Sequence, residues 1–430
     1  MLKYYFRCDV LQILLPLHFV MEILNADIPE INLEEYTYLL PQERIAQYPL
    51  PARHDSLLLV CTKTGERKDQ TFRKLTNRLS ENTLLVFNDS KVIPARLIFR
   101  KETGAFIEIF CLEPAEPAEY NLSFSQKHSC VWNCTVGNLK KWKSGSLLLY
   151  NQSNDAFIQN MHLQASLVGR KEGKYQVKFE WKGGFSFSTV LERAGNMPIP
   201  PYLRRFAEPF DTERYQTVYA YERGSVAAPT AGLHFSEAML SEMEENGIKT
   251  AYLSLHVGAG TFRPVKARDV REHTMHSEPF HATLDFLQQL QHHKGPVVPV
   301  GTTSCRCLES LYYLGVQAAL GKNPVFVDQW EPYTKHPRMS YKDALEHLIG
   351  YLKRDDRDVL TAATQLFIMP GFSFRTTDAL LTNFHQPNSS LLLLVAALVG
   401  DNWKEIYAHA LAGNYRFLSY GDACLLFNPK

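Results

Sequence analysis

Five short segments of this chain carry Gly, Ser, Thr, His, Glu and Arg where an ordinary core would be apolar. They are GSVAAPTAGLHF from Gly224, LHVGAGTFRPV from Leu255, HTMHSE from His273, GTTSCRCLES from Gly301 and TNFHQPNSSL from Thr382. Small residues let backbone N–H groups approach a ligand closely, while His and Glu move protons and Arg supplies charge, so together these segments read as the walls of one reaction site. His276 and Glu278 are two residues apart, which aims both side chains to one side if the segment is extended. Acid–base groups of this kind contribute on the order of a hundred- to ten-thousandfold in rate. We therefore read His276, Glu278, His234 and His256 as catalytic candidates. Ligand binding is expected from Thr230, Gly232, Gly258, Gly260, Thr261, Arg263, Thr302, Thr303, Ser304, Arg306, Asn383, His385 and Asp422. Bland readings stand beside these. His234, His256 and His385 each follow a Leu or a Phe and equally suit a core histidine bonded to backbone. Glu278 fits the start of a helix, and Arg263 or Arg306 fits a structural ion pair with Glu309 or Asp422. Phe235, Phe262, Tyr215 and Tyr420 serve either as core or as the face of a cationic or planar ligand.

The elements around these segments are equally readable. Between Leu84 and about Leu191 short runs alternate with turns, and in YQVKFEW Val177, Phe179 and Trp181 alternate with polar residues, the period of a half-buried strand. That stretch predicts a small antiparallel barrel over 90–191. It interrupts a three-layer α/β domain formed by 31–89 and 192–430, where helix and strand patterns alternate. SEAMLSEMEENG predicts a helix that starts after Ser236 and stops at Gly247. KTAYLSLHV and PVVPV predict strands that run directly into GAGTF and GTTS, at the carboxyl ends where open α/β sheets place ligands. LLLLVAALVG from Leu391 is too short to span a bilayer and predicts a buried helix. The segment 312–365 reads as a peripheral insertion with a surface helix in DALEHLIGYLKR.

A length of 430 residues favours more than one domain, and 45% hydrophobic against 21% charged residues places the chain with soluble globular proteins. A net charge of +1 excludes a strong overall field for nucleic acid, so any RNA affinity must come from local basic positions. The eight cysteines are scattered without a CxxC pair, which points to a reducing, cytoplasmic setting. His128, Cys130 and Cys134 have metal-like spacing but no second pair to complete four ligands, and no metal is expected. The basic and apolar start, MLKYYFRCDVLQILL, is interrupted by Asp9 and lacks a small-residue cleavage site. It reads as an extension over 1–30, with Met21 a plausible initiator.

Taken in order, IAQYPL from Ile45, LLVFNDSKVIPARL from Leu84, MPIPPY from Met197, YQTVYA from Tyr215, the five segments above and YRFLSYGDA from Tyr415 resemble the S-adenosylmethionine:tRNA ribosyltransferase-isomerases, the QueA family of queuosine synthesis. The likeness runs from about Leu33 to the C-terminus. It implies an α/β domain with an inserted β-barrel. It also implies transfer and isomerisation of the ribosyl part of S-adenosylmethionine onto 7-aminomethyl-7-deazaguanine at the wobble position of tRNA, giving epoxyqueuosine, adenine and methionine. No cofactor beyond S-adenosylmethionine as co-substrate is implied, the anticodon loop is the implied partner, and a monomer without a membrane is expected. Asn388 departs from a Lys common in this family, and KKWKSG from Lys140 differs from the usual barrel string. Arg204, Arg205, Lys140, Lys141 and Lys143 are the expected RNA contacts. Two other readings compete. A tRNA-binding scaffold without chemistry would have lost its His and Glu, which are present here, and a metal-dependent hydrolase would hold stoichiometric zinc.

Overall fold

The computed structural model describes residues 28–150, 155–171, 173–258 and 267–429. Most of the 1–30 extension, with Met21, and Gly260, Thr261, Phe262 and Arg263 lie outside the described residues.

Among these residues one sheet has the spatial order Val297–Pro299, Leu84–Asn88, Lys249–Leu255, Glu278–Thr283, Val359–Thr364, Phe326–Val327. The first three strands are parallel, and Glu278–Thr283 runs against both of its neighbours. A second sheet has the order Ala379–Asn383, Ala423–Phe427, Leu57–Cys61, Arg67–Thr71. A parallel bridge between Val300 and Leu381 joins the two edge to edge. The central strands are near-continuous apolar runs because both faces are covered, as buried parallel strands require. Leu84 and Val86 face the helix Thr302–Ala319, whereas Leu85 and Phe87 face Met239 and Met243 of the helix Glu237–Glu245. The result is a helix–sheet–helix sandwich. Ser236 caps the second helix by accepting from Met239 N, and the helix Ser390–Val399 is buried as its composition predicts.

The stretch with period two closes into an antiparallel barrel in the order Lys174–Glu180, Ser129–Val136, Phe106–Glu116, Arg96–Arg100, Leu147–Leu149, Gln164–Lys171. Trp132, Val177, Phe179, Leu97 and Phe99 fill it, and Cys130 and Cys134 point into the same core. Ser90–Val92 is not a barrel strand. It pairs in parallel with Glu222–Ser225, whereas the chain leaves the barrel earlier, at the bridge between Arg96 and Asn196. The 312–365 segment also differs from its reading as periphery. Val359–Thr364 pairs with Glu278–Thr283 inside the main sheet, and the helix Tyr341–Arg354 buries Leu345, Leu348 and Leu352 against the helix Thr302–Ala319. A strand as polar as VLTAAT carries too weak an alternation to be seen without its partners. No described helix is long and apolar enough to cross a membrane.

Candidate functional site

The strand directions bring the polar segments to one edge of the joined sheets. The carboxyl ends of Val297–Pro299, Leu84–Asn88, Lys249–Leu255 and Ala379–Asn383 emerge beside the amino ends of Glu278–Thr283 and Ala423–Phe427. Asn88 ties this edge together, because its side chain donates to Leu255 O and accepts from Leu255 N and Ser90 N, each at 3.0 Å. Backbone pairing thus continues past the point where the chain turns toward the barrel.

A pocket opens at this edge, lined by Ala227–Ala231, Val257, Gly301–Thr303, Thr382–Gln386, Ser389 and Ser419. Of the expected binding residues, Thr230, Thr302, Thr303, Asn383 and His385 line it. Gly301 takes φ 90°, which a side chain would strain, and no side chain caps the helix it precedes. The first N–H groups of that helix therefore face the pocket with the positive end of its dipole. Ser304 instead donates to Val300 O (2.8 Å) within its own helix. Gly232 is a packing residue, since a Cβ there would meet the Tyr219 hydroxyl at 1.9 Å. Gly258 ends the described part of its loop.

His276 and Glu278 come together as the extended spacing predicts. His276 Nε2 lies 3.0 Å from Glu278 Oε1, and Arg306 Nη1 donates to Glu278 Oε2 at 2.7 Å. Glu278 is 1% exposed, whereas the His276 side chain is 29% exposed. Arg306 Nε also donates to Leu366 O, which fixes the guanidinium. The ion pair of Arg306 is thus with Glu278 and not with Glu309 or Asp422. Arg306 follows Thr302 by four residues, so the pair sits one helical turn below the pocket rim. Glu309 is buried and accepts from the backbone of Arg375, Thr376 and Thr377.

The other histidines divide between roles. His234 is buried behind the pocket, where Asn383 Nδ2 donates to its Nε2 (3.1 Å) and Ser56 Oγ lies 2.9 Å from Nδ1. Thr230 Oγ1 donates to Asn383 Oδ1 at 2.8 Å, which connects His234 to the pocket wall. Burial, helped by Arg416, pushes the His234 pKa down to about 3, so the ring is neutral. His385 is likewise pushed down to about 3 by burial, with Thr382 Oγ1 2.9 Å from its Nε2. Asp422 does not reach the pocket. It accepts from Leu57 N (2.9 Å) and Arg416 N (2.7 Å) and holds the loop that precedes its strand. Phe235 is core between Phe72 and Phe87, and Tyr215 is fully buried. Tyr420 donates to Asp211 (2.8 Å).

His256 faces elsewhere. It and Val257 are successive residues of an extended segment, so they point to opposite faces, Val257 to the pocket and His256 to a wide cleft between sheet and barrel. This cleft is bordered by Asp89, Glu113, Tyr120, Tyr221, Tyr252, Ser254 and His281. Sequence reasoning missed all of these, as it missed Thr382, Ser389 and Ser419 of the pocket. The latter three and Asp89 stand within recognised strings, whereas the other cleft residues lie outside them.

The basic positions are dispersed. Arg205 is held by Asp211 through two bonds of 2.6 and 2.8 Å and lies over the Tyr48 ring, so its guanidinium is already occupied. Arg204 is exposed in a left-handed conformation. Lys140, Lys141 and Lys143 are exposed on a turn tied to Glu108 and Phe106. That is the opposite end of the strand Phe106–Glu116 from the cleft, roughly 20 Å away at the rise of a strand.

Comparison with known proteins agrees with the motif pattern. The family model described as "Queuosine biosynthesis protein" matches residues 33–426. The S-adenosylmethionine:tRNA ribosyltransferase-isomerase of Halothermothrix orenii is 38% identical over 402 residues, 92% of this chain and 100% of that protein. The protein of the same name from Trichlorobacter lovleyi is 36% identical over 398 residues, 91% of this chain and 99% of that one. A solved S-adenosylmethionine tRNA ribosyltransferase from Thermotoga maritima aligns over 91% of this chain and 99% of its own at 27% identity, with a TM-score of 0.44. With the family match spanning the α/β sandwich, the barrel and every segment at the sheet edge, the chain belongs to the queuosine biosynthesis protein family.

Proposed function

We propose that this protein transfers and isomerises the ribosyl moiety of S-adenosylmethionine onto 7-aminomethyl-7-deazaguanine at the wobble position of a tRNA, producing epoxyqueuosine, adenine and methionine. One observation carries the site assignment: four of the five segments, distant in sequence, line one pocket at one sheet edge, and the fifth brings His276 and Glu278 to Arg306, one helical turn beyond Thr302. S-adenosylmethionine occupies that pocket in this reading. The N-terminus of the helix Thr302–Ala319, with Thr302 and Thr303, faces its carboxylate, and Asn383 and Thr230 meet its polar edges.

The sulfonium acidifies the adjacent ribose 5′ carbon, and the reaction begins when a base removes that proton. His276 is the more accessible member of its pair and takes this role, with Glu278 orienting the imidazole and Arg306 holding the carboxylate in place. Methionine and adenine then leave, and adenine takes up a proton as it departs. His234 is a positioning residue, since it reaches the pocket only through Asn383 and Thr230. The anticodon loop lies across the opening between barrel and sheet, and Arg204 with the Lys140, Lys141 and Lys143 turn contacts phosphates. A cytoplasmic monomer with no cofactor beyond its co-substrate completes the reading.

The test is release of adenine and methionine from S-adenosylmethionine, with and without tRNA bearing the aminomethyl base. Equal amounts of both, dependent on that tRNA, are expected. S-adenosylhomocysteine as the main product would overturn the reading.

A further inference from the structure

His276 sits on a stretch of backbone that has no ladder of its own. Between the 3₁₀ turn Val270–Glu272 and the strand Glu278–Thr283, residues 273–277 belong to neither helix nor strand. Such a stretch, once buried, needs other partners for its N–H and C=O groups. Gln329 supplies two of them. Its Oε1 accepts from Met275 N at 2.7 Å, and its Nε2 donates to His273 O at 3.1 Å. One residue of a neighbouring parallel strand would make the same two bonds, and here a single side-chain amide makes both. Gln329 is 8% exposed and Met275 2% exposed, so the clamp is shielded from water.

The clamp is one of two anchors for the imidazole. On one side of His276, Met275 is fixed by Gln329; on the other, Glu278 is fixed by its pairing with Thr364 and by Arg306. His276 thus hangs from a short span held at both ends, and its 3.0 Å contact with Glu278 depends on both. The second anchor is braced from the same part of the chain, because Arg306 Nε donates to Leu366 O and Leu366 N donates to Thr364 Oγ1. Phe367 joins the two supports. Its ring packs on His273 at 5.5 Å and on Trp330, the neighbour of Gln329, at 5.9 Å, and its carbonyl accepts from Tyr333 Oη at 2.8 Å. Gln329 itself borders neither the pocket nor the cleft, so any influence on the reaction passes through the backbone that carries His276.

We propose that Gln329 is a positioning residue for the reaction: by clamping His273 and Met275 it sets the reach of the His276 imidazole toward the ribose. The assignment rests on the reading of His276 as the base. A reacting group misplaced by about 1 Å costs on the order of a hundredfold in rate, which sets the size of the expected effect.

The experiment introduces Gln329→Met, which keeps the length of the side chain and removes both bonds, into the wild type and into His276→Ala. Adenine release is measured with tRNA bearing the aminomethyl base. In the wild-type background kcat should fall about ten- to a hundredfold, with KM for S-adenosylmethionine within about twofold. In the His276→Ala background the same substitution should cost no more than about twofold further, because no imidazole remains to be misplaced. If Gln329→Met does not fold, the same split is read from Gln329→Glu, which keeps an acceptor for Met275 N and loses the donor to His273 O. Unchanged kcat overturns the proposal. So does an equal loss in both backgrounds, which would make Gln329 a support of the fold alone, and so does a loss confined to S-adenosylmethionine affinity. His276→Ala as active as wild type would instead overturn the reading of His276 as the base, and the role of Gln329 with it.

Discussion

The pocket and the cleft lie on opposite faces of one strand end, yet they are built by different means. Pocket walls are short loops of Gly, Ala, Thr and Asn at the ends of buried strands, with every histidine nearby hydrogen-bonded and Glu278 locked between His276 and Arg306. The cleft is wider, is bounded by two folding units, and holds Asp89 through the single side-chain bond from Ser254. A satisfied polar network specifies one geometry. The pocket side is thus fixed by its own hydrogen bonds, whereas the shape of the cleft depends on how barrel and sheet pack.

Breaking the pocket side should cost most. Arg306→Leu leaves the Glu278 carboxylate buried without its cation, and losing one partner of such a pair costs about 3–5 kcal/mol. Denaturant titration should show that loss, and adenine release should fall with it. A variant as stable as wild type would mean that Glu278 is protonated or re-paired and that the pocket side is less rigid than its hydrogen bonds imply.

Acid should act next. His234 and His385 have pKa values near 3 when folded against about 6.5 unfolded, so below pH 6.5 the unfolded chain binds more protons and stability falls as pH drops toward 3. At pH 5 each contributes a loss of about 2 kcal/mol relative to pH 7. His256, pushed down to about 4 by burial, adds a similar loss, so unfolding at the two pH values measures the sum over these buried histidines, and His234→Gln should remove about 2 kcal/mol of it. An identical pH slope in that variant would rule out a buried neutral His234.

A smaller effect should sharpen the contrast. Gly224→Ala pushes on the His256 ring from within the strand Glu222–Ser225, at a φ of +144° that also disfavours a side chain. Stability in denaturant is expected to fall by about 1–3 kcal/mol, with S-adenosylmethionine affinity unchanged. A parallel loss of that affinity would show that the two faces are not separable.

The least effect is expected from replacing Lys140, Lys141 and Lys143 together by Ala, because that turn is remote from both cavities. Turnover at saturation should be unchanged. The salt dependence of tRNA binding should flatten by about 0.7–0.9 for each phosphate that is no longer neutralised. An unaltered slope would remove this end of the barrel from the RNA-binding surface.

Much of the architecture is legible in the chain itself. Strand and helix periods locate the barrel and the sandwich, because alternation and capping are local properties of the chain. The His276–Glu278 pair is legible for the same reason, since two residues apart on an extended segment share a side. The joined sheet edge, where Val300 meets Leu381, is not legible, nor is the role of 359–364 as an inner strand, because pairing partners far apart leave no local trace.

Residue types and their spacing by themselves determined which segments concentrate candidate groups and which family they resemble. Only the tertiary structure decided which candidates meet. It sent Arg306 to Glu278, engaged Asp422 and Arg205 in structural bonds, and turned His256 away from its neighbour Val257 toward a cleft whose other walls come from the barrel and from Asp89. The physical reason is that side-chain direction follows from the strand on which a residue sits, whereas the group it faces depends on how distant elements pack.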